Sequence, residues 1–355
     1  MNTLPTLFNE FLSGIRPTPT QRTEYKEGHQ RLRERLAEFD DLKPYIVSTF
    51  LQGSYRRSTA VRPKDGTRSD VDIVVVTNLD STVVTPKQAM DKFVPFLKKY
   101  YPEIWETNDR SFTINLSSVK LDLVITAAPN AGDMKFFTSS AALLSDESIE
   151  EWSRPETKSA SDDAWKSQPL LIPDRSVSEW HETHPIAQIE WTRLKNKNCN
   201  GNYVNVVKAI KWWRKVCHTT PKYPKGYPLE HLIGQCCPDD TQSVAEGIAL
   251  TLEEMSFRYR QYANSNAVPV LADHGVPSHD VLKRVTPEEF KEFHEQVDEA
   301  AKIARSALSA ESNIEMAELW RSILGDKFPE AKKEHSSGSR TSDVRAFTPH
   351  APWCN

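Results

Sequence analysis

The sequence predicts an α+β chain of two lobes, a sheet in the first half and helices in the second. Three observations predict it. Residues 69–76, Ser-Asp-Val-Asp-Ile-Val-Val-Val, read as a strand running into a buried sheet. Residues 108–116 and 119–126 read as two further strands, joined at Ser117-Ser118 by a hairpin turn. From about residue 186 onward the apolar spacing turns helical. With 355 residues the chain is long enough for two sizeable cores.

In chain order, residues 1–17 read as a short docking segment with Leu7, Phe8, Phe11 and Leu12 as its apolar contacts. Thr18-Pro19 then starts a helix. The threonine caps it, proline suits its first position, and Gln21 completes a capping box. Tyr25, His29, Leu32, Leu36 and Phe39 make its inward stripe, with His29 a packed residue rather than a ligand. A strand over 46–51 delivers a Gly-Ser turn at Gly53-Ser54. Thr85-Pro86 begins another helix, with Met90, Phe93, Phe96, Leu97 and Tyr100 inward and a kink expected at Pro95. Residues 129–169, polar and rich in Ser and Asp, read as an excursion or lid, with a short helix at most. A brief strand at 170–172 returns to the sheet, and Thr183-His184-Pro185 starts a helix. Further helices are expected over 202–216, 242–263, 287–308 and 311–323, the third with Thr286 and Glu289 as a capping box. The expected division is a first lobe at 1–185, a helical lobe at 186–332 and a flexible C-terminal tail at 333–355.

The chemistry concentrates at the start of the 69–76 strand. Asp70 and Asp72 stand two apart, so a strand points both to one face. Two carboxylates on one face repel unless a cation sits between them, and hard oxygen ligands of this kind suit Mg²⁺ completed by substrate phosphates. Gly53 lets backbone approach a phosphate closely, and the N–H groups of a helix start bind anions. Asp122 interrupts an otherwise apolar strand, which is costly unless the carboxylate is paired, hydrogen-bonded or bound to metal. The bland alternatives are a solvated Asp-x-Asp turn and an Asp122 satisfied by a buried Arg or Lys. The order of these features, a Gly-Ser turn, then Asp-x-Asp, then a third Asp on a later strand, favours a nucleoside triphosphate held with metal.

That order resembles the polymerase-β-like nucleotidyltransferases. Residues 51–59, Leu-Gln-Gly-Ser-Tyr-Arg-Arg-Ser-Thr, and the helical second half are similar to one branch of them, the bacterial cGAS/DncV-like nucleotidyltransferases of CBASS anti-phage defence, clade D above all. The resemblance covers about residues 5–330. It implies a polymerase-β-like sheet core with an oligoadenylate synthase-like helical lobe, and an N-terminal helix that braces both. It implies two Mg²⁺ ions, with Mn²⁺ as an alternative, on Asp70, Asp72 and Asp122. Ser54 and Gly53 would hold the β- and γ-phosphates, with Gln52 and Arg57 as weaker members of the pocket. The runs 207–213, Val-Lys-Ala-Ile-Lys-Trp-Trp, and 226–232, Gly-Tyr-Pro-Leu-Glu-His-Leu, are similar to oligoadenylate synthases. The resemblance gives Lys211 and Tyr227 a grip on the triphosphate. Lys208 falls where those enzymes place an arginine. Substrates would be ATP and GTP, and the product a cyclic trinucleotide of two adenylates and one guanylate joined 3′–5′. The alternatives are a cyclic dinucleotide such as cGAMP, transfer of AMP to a protein, tRNA or small molecule, or a catalytically dead binding module. Some relatives engage a HORMA-type or conjugating regulator through a C-terminal tail, and the tail here, with Trp353, reads as such a docking peptide.

Composition bounds the rest. A net charge of −4 argues against a general nucleic-acid-binding surface. Arg56, Arg57, Arg62, Lys64 and Arg68 nevertheless make the turn region locally basic, as a small polyanion requires. No run of about 20 apolar residues is present to span a membrane, and the N-terminus lacks a secretory signal pattern. Five cysteines do not make a disulfide framework, so a reducing, cytoplasmic compartment is expected. Cys217-His218 and Cys236-Cys237 lack zinc-ligand spacing and read as small buried hydrophobes.

Overall fold

The computed structural model describes residues 3–63, 67–139, 168–216 and 220–332. Two compact units are formed. Among the described residues, one comprises those within 17–194 together with 272–280, and the other those within 3–16, 195–271 and 281–332.

The first unit is built on one seven-stranded sheet. Its strands are β1 (Ile46–Gln52), β2 (Ser69–Thr77), β3 (Trp105–Thr107), β4 (Phe112–Asn115), β5 (Val119–Ala127), β6 (Leu170–Asp174) and β7 (Glu179–Thr183). The order is β1-β2-β5-β4-β3, with β6 pairing the end of β5 and β7 pairing β6. Only β2 and β5 run parallel among these pairs. The expected strand at 108–116 is a hairpin arm: β4 is its second half, and residues 108–111 turn back to β3.

Alternation along β2 and β5 gives the sheet two unlike faces. Val71, Ile73 and Val75, with Leu121, Leu123 and Ile125, enter the larger core. Helix α2 (Pro19–Glu38) covers that face through Tyr25, Leu32 and Leu36. Gly28 sits close to β5, where a Cβ would come within 3.3 Å of the Leu116 side chain. Val74 and Val76 face the other way, into a smaller cluster with Phe50, Phe137 and Leu170. Phe137 belongs to α6 (Ala131–Ser139), and most of the polar stretch after it lies outside the described residues.

Local signals account for most helix starts. Thr18 accepts from the Gln21 amide at 3.1 Å while the Gln21 side chain accepts from the Thr18 N–H at 2.9 Å. The same reciprocal box opens α4 (Pro86–Asp91) at Thr85 and Gln88. The kink expected at Pro95 is a full break. The chain leaves α4 at Lys92 and restarts as α5 (Val94–Tyr100), with Pro95 in its first turn, where a missing N–H costs no hydrogen bond.

The second unit contains α1 (Pro5–Ile15), the last turn of α7 (Pro185–Asn198), α8 (Tyr203–Val216), α9 (Tyr227–Cys236), α10 (Val244–Asn264), α11 (Pro287–Ser309) and α12 (Asn313–Leu324). The expected first lobe, 1–185, thus loses α1. That helix buries Phe8, Phe11, Leu12 and Ile15. The Phe8 ring meets Trp320 edge-on at 5.1 Å and Phe328 at 4.9 Å. Leu7, expected inward, is only half-buried. The division expected at residue 186 falls at 195, inside α7, because the first three turns of that helix pack with the sheet unit. Cys199, Cys236 and Cys237 are free and buried, with Cys199 Sγ 4.0 Å from Cys237 Sγ. Cys217-His218 and the tail at 333–355 lie outside the described residues.

Candidate active site

The site begins as a row across the sheet. Gln52 is the register partner of Asp72, Asp72 of Asp122, and Asp122 of Thr113. Register partners share a face, and alternation puts this row on the face of Val74 and Val76, beyond the edge of the smaller apolar cluster. Asp70 lies two residues before Asp72 on the same face and is exposed, while Asp72 and Asp122 are half-buried.

Gly53 closes this row from the β1 side. Its φ is +71, and a Cβ there would overlap the Asp72 carboxylate. Glycine is therefore required twice over, for the turn and for the space. The turn continues as the single-turn helix α3 (Gly53–Arg56), with the Arg57 N–H donating to the Gly53 carbonyl at 3.1 Å. The Thr59 N–H donates to the Ser54 carbonyl at 2.9 Å, which folds the turn back on itself. Tyr55 extends sideways to α2, its ring 5.8 Å from Tyr25 and 6.1 Å from His29. The Tyr25 hydroxyl donates to Ser69 Oγ at 2.7 Å, beside Asp70. One helix thereby supports both the Gly-Ser turn and the start of the aspartate strand.

Burial holds the Asp122 carboxyl above the usual carboxylate range, and the Asp70 charge adds to this. A hydrogen bond from the Thr113 hydroxyl to Asp122 Oδ1 acts in the opposite sense. The mutual field of the carboxylates is what a divalent cation would relieve, and their oxygens are the hard donors it prefers. The set fits a divalent ion on those grounds. Among the described residues no group of three or more His, Cys, Asp or Glu is already gathered closely enough to hold an ion. The three aspartates share a face rather than a finished ligand sphere.

The expected basic funnel is more structural than foreseen. Arg56 and Arg57 are buried at 5% exposure each, Arg62 is half-buried and Arg68 exposed. Lys64 lies outside the described residues.

In the helical unit, Lys211 on α8 pairs with Glu230 on α9 at 2.7 Å. Tyr227 opens α9, its ring 5.9 Å from His231. Lys208, one turn before Lys211, is buried and has no hydrogen-bond or ion-pair partner among the described residues. Burial, with the Arg16 and Lys211 charges, pushes its ammonium down to about 7. Arg16 itself donates to Asn205 Oδ1 at 2.9 Å. Sequence reasoning saw neither the Lys211–Glu230 pair nor Arg16 beside Lys208, because both depend on packing between distant segments. It also missed Thr113. The one signal available was its place in a strand next to the Asp122 strand, directly between the core positions Phe112 and Ile114.

Comparison with known proteins places the chain in a family. Residues 1–136 match the model of the Second Messenger Oligonucleotide or Dinucleotide Synthetase domain. A protein of Enterobacter hormaechei named cyclic AMP-AMP-GMP synthase is 49% identical, with 91% of each chain covered. A probable cyclic AMP-AMP-GMP nucleotide synthase of Salmonella paratyphi B is 48% identical over the same shares. Among solved structures, CdnC of E. coli MS115-1, determined as a complex with HORMA-deltaN, shares the fold at a TM-score of 0.63 and 13% identity, covering 92% of this chain and 98% of that one. No helix among the described residues is long and apolar enough to cross a membrane. The chain belongs to the cGAS/DncV-like nucleotidyltransferases of the CBASS type, metal-dependent enzymes that make cyclic oligonucleotides from nucleoside triphosphates.

Proposed function

We propose that the protein joins two ATP and one GTP into a 3′,3′,3′-cyclic AMP-AMP-GMP second messenger for anti-phage defence in the cytoplasm. The observation that carries this product is the near-even identity, over nine-tenths of both chains, to relatives named for it. Asp70, Asp72 and Asp122 hold two Mg²⁺ ions in this reading, with Mn²⁺ as an alternative. When bound, such ions offset the charge of the triphosphate and acidify the attacking ribose hydroxyl. Asp122 takes the proton of that hydroxyl, or helps remove it. Its place on the sheet face shared with Asp70 and Asp72 supports that role. The Ser54 hydroxyl and the Gly53 backbone bind the β- and γ-phosphates, with Gln52 and Arg57 beside them. Lys208, Lys211 and Tyr227 are the helical unit's phosphate-binding residues, Lys211 exchanging Glu230 for phosphate. The tail at 333–355 docks a HORMA-type or other CBASS regulator. Deletion of 335–355 should abolish such binding and spare synthesis.

The test is incubation with the four nucleoside triphosphates and Mg²⁺, then phosphatase, then mass spectrometry. A phosphatase-resistant species with the mass of two AMP and one GMP is expected. EDTA, Asp70→Ala and Asp72→Ala should each remove it, with losses of at least about 1,000-fold. A resistant dinucleotide would replace the trinucleotide reading with a cGAMP-type one. Labelled protein or RNA without a small cyclic product would replace it with adenylyl transfer.

A further inference from the structure

The Asp122 carboxylate accepts one hydrogen bond among the described residues, and its donor is Thr113. The hydroxyl could in principle turn its proton elsewhere. It is prevented from doing so by Asn108, whose Nδ2 donates to Thr113 Oγ1 at 2.9 Å. With one lone pair taken by an amide donor, the threonine's own proton is directed at Asp122 Oδ1. The relay is dry at its centre, since Thr113 is 7% exposed. Asn108 is in turn fixed by its place in the β3–β4 turn. Its N–H donates to the Ser111 carbonyl at 2.9 Å, and its side chain also reaches Ser111 Oγ at 3.2 Å.

The turn is anchored from the far side as well. Arg110 Nε donates to Asp174 Oδ2 at 2.7 Å, and the Arg175 N–H donates to the Asp109 carbonyl at 2.9 Å. Asp174 is buried and also receives the Ser176 N–H and hydroxyl, at 3.0 and 2.6 Å. Residues 108, 109 and 110 therefore face two ways. Asp109 and Arg110 bolt the turn to the end of β6, and Asn108 reaches the third carboxylate through Thr113.

We propose that Thr113, held by Asn108, is a positioning residue for the reaction: it fixes the Asp122 carboxylate by one oxygen and leaves the other for the divalent ion and the attacking nucleotide. This rests on Asp122 being a member of the metal site. The reason for such a device is the lack of any other restraint. Asp122 forms no ion pair among the described residues and, of basic groups, feels only the charge of nearby Lys120, and a mobile third ligand weakens a metal site. The Asn-x₄-Thr spacing across a hairpin, followed nine residues on by the aspartate, is the sequence form of the relay.

Thr113→Val keeps the shape and removes the hydroxyl, and Thr113→Ser keeps the hydroxyl. The valine variant should lose about 10- to 100-fold in kcat, with KM for ATP changed less than about threefold, and the serine variant should return to within about fivefold of the parent. A readout without turnover is Mn²⁺ binding followed by electron paramagnetic resonance in the presence of a non-hydrolysable ATP analogue. Thr113→Val should weaken it about 10-fold, at an unchanged melting temperature of the apoprotein to within about 4 °C. Parent-like kcat and Mn²⁺ binding in Thr113→Val, while Asp122→Ala is inactive, would overturn the role of Thr113 alone. So would equal losses in the valine and serine variants. A fully active Asp122→Ala would overturn the underlying site assignment and this proposal together.

Discussion

A methyl group at position 53 would occupy the place of the Asp72 carboxylate. Gly53→Ala also meets a φ of +71, which costs about 1 kcal/mol by itself. The strand can shift or the aspartate can turn away, and either displaces a carboxylate of the proposed metal site. Gly53→Ala should therefore reduce product formation by more than about 100-fold while lowering the melting temperature by only a few degrees, about 4 °C. A variant that keeps its activity would show that Asp72 has room to move. Lys208 poses the converse case, a residue that costs stability. Its folded pKa, about 7, lies below the usual lysine value, so the unfolded chain binds the proton more tightly. The penalty is complete below about pH 7 and fades as pH rises toward the ordinary lysine range. Lys208→Met should raise stability by on the order of 1–3 kcal/mol near pH 7 without nucleotide. The gap should narrow between pH 7 and 9, read from paired melting curves. Nucleotide binding should weaken in the same variant if Lys208 meets phosphate.

At the scale of elements, what was readable was whatever local chemistry dictates. Thr18-Pro19 and Thr286-Pro287 announced capping boxes, and both form with both hydrogen bonds. The apolar run after Asp72 could only be a buried strand, and β2 is that strand in register with β5. Short or amphipathic pieces were less legible. Strand β7, Glu-Trp-His-Glu-Thr, has no apolar alternation to betray it. It exists because β6 offers an edge and Trp180 Nε1 reaches the Val84 carbonyl at 2.9 Å. Helix α1 was recognised as apolar on one side, but its partner was not. Phe8 packs against Trp320 and Phe328, more than 300 residues away in sequence, a contact no local pattern encodes. Phe8→Ala should cost about 3–5 kcal/mol, seen as a lower urea midpoint for the helical unit. An equal effect from Glu10→Ala, on the exposed side of the same helix, would contradict that account.

At the scale of the whole molecule, the three aspartates were legible because carboxylates in apolar strands are conspicuous, and the sheet brings them to one face. Their support was not. Thr113 and Asn108 are ordinary residues made special only by the pairing of β4 with β5 and the turn before it. The same holds for Glu230, whose carboxylate meets Lys211 across two helices. Sequence shows where charge is out of place; only the fold shows what steadies it.

Neither compact unit is one uninterrupted segment. The chain enters the helical unit with α1, leaves it for the sheet at residue 17, returns at 195, and visits the sheet unit again over 272–280. In that last visit Asp273 receives Gln188 Nε2 at 3.0 Å, and the His274 ring stacks on Trp191 at 3.8 Å. Subcloning at residue 194 or 195 would thus yield two polypeptides, each missing a piece carried by the other. A protease nick in either half should leave the fragments co-purifying, and recombinant halves should regain function only when expressed together.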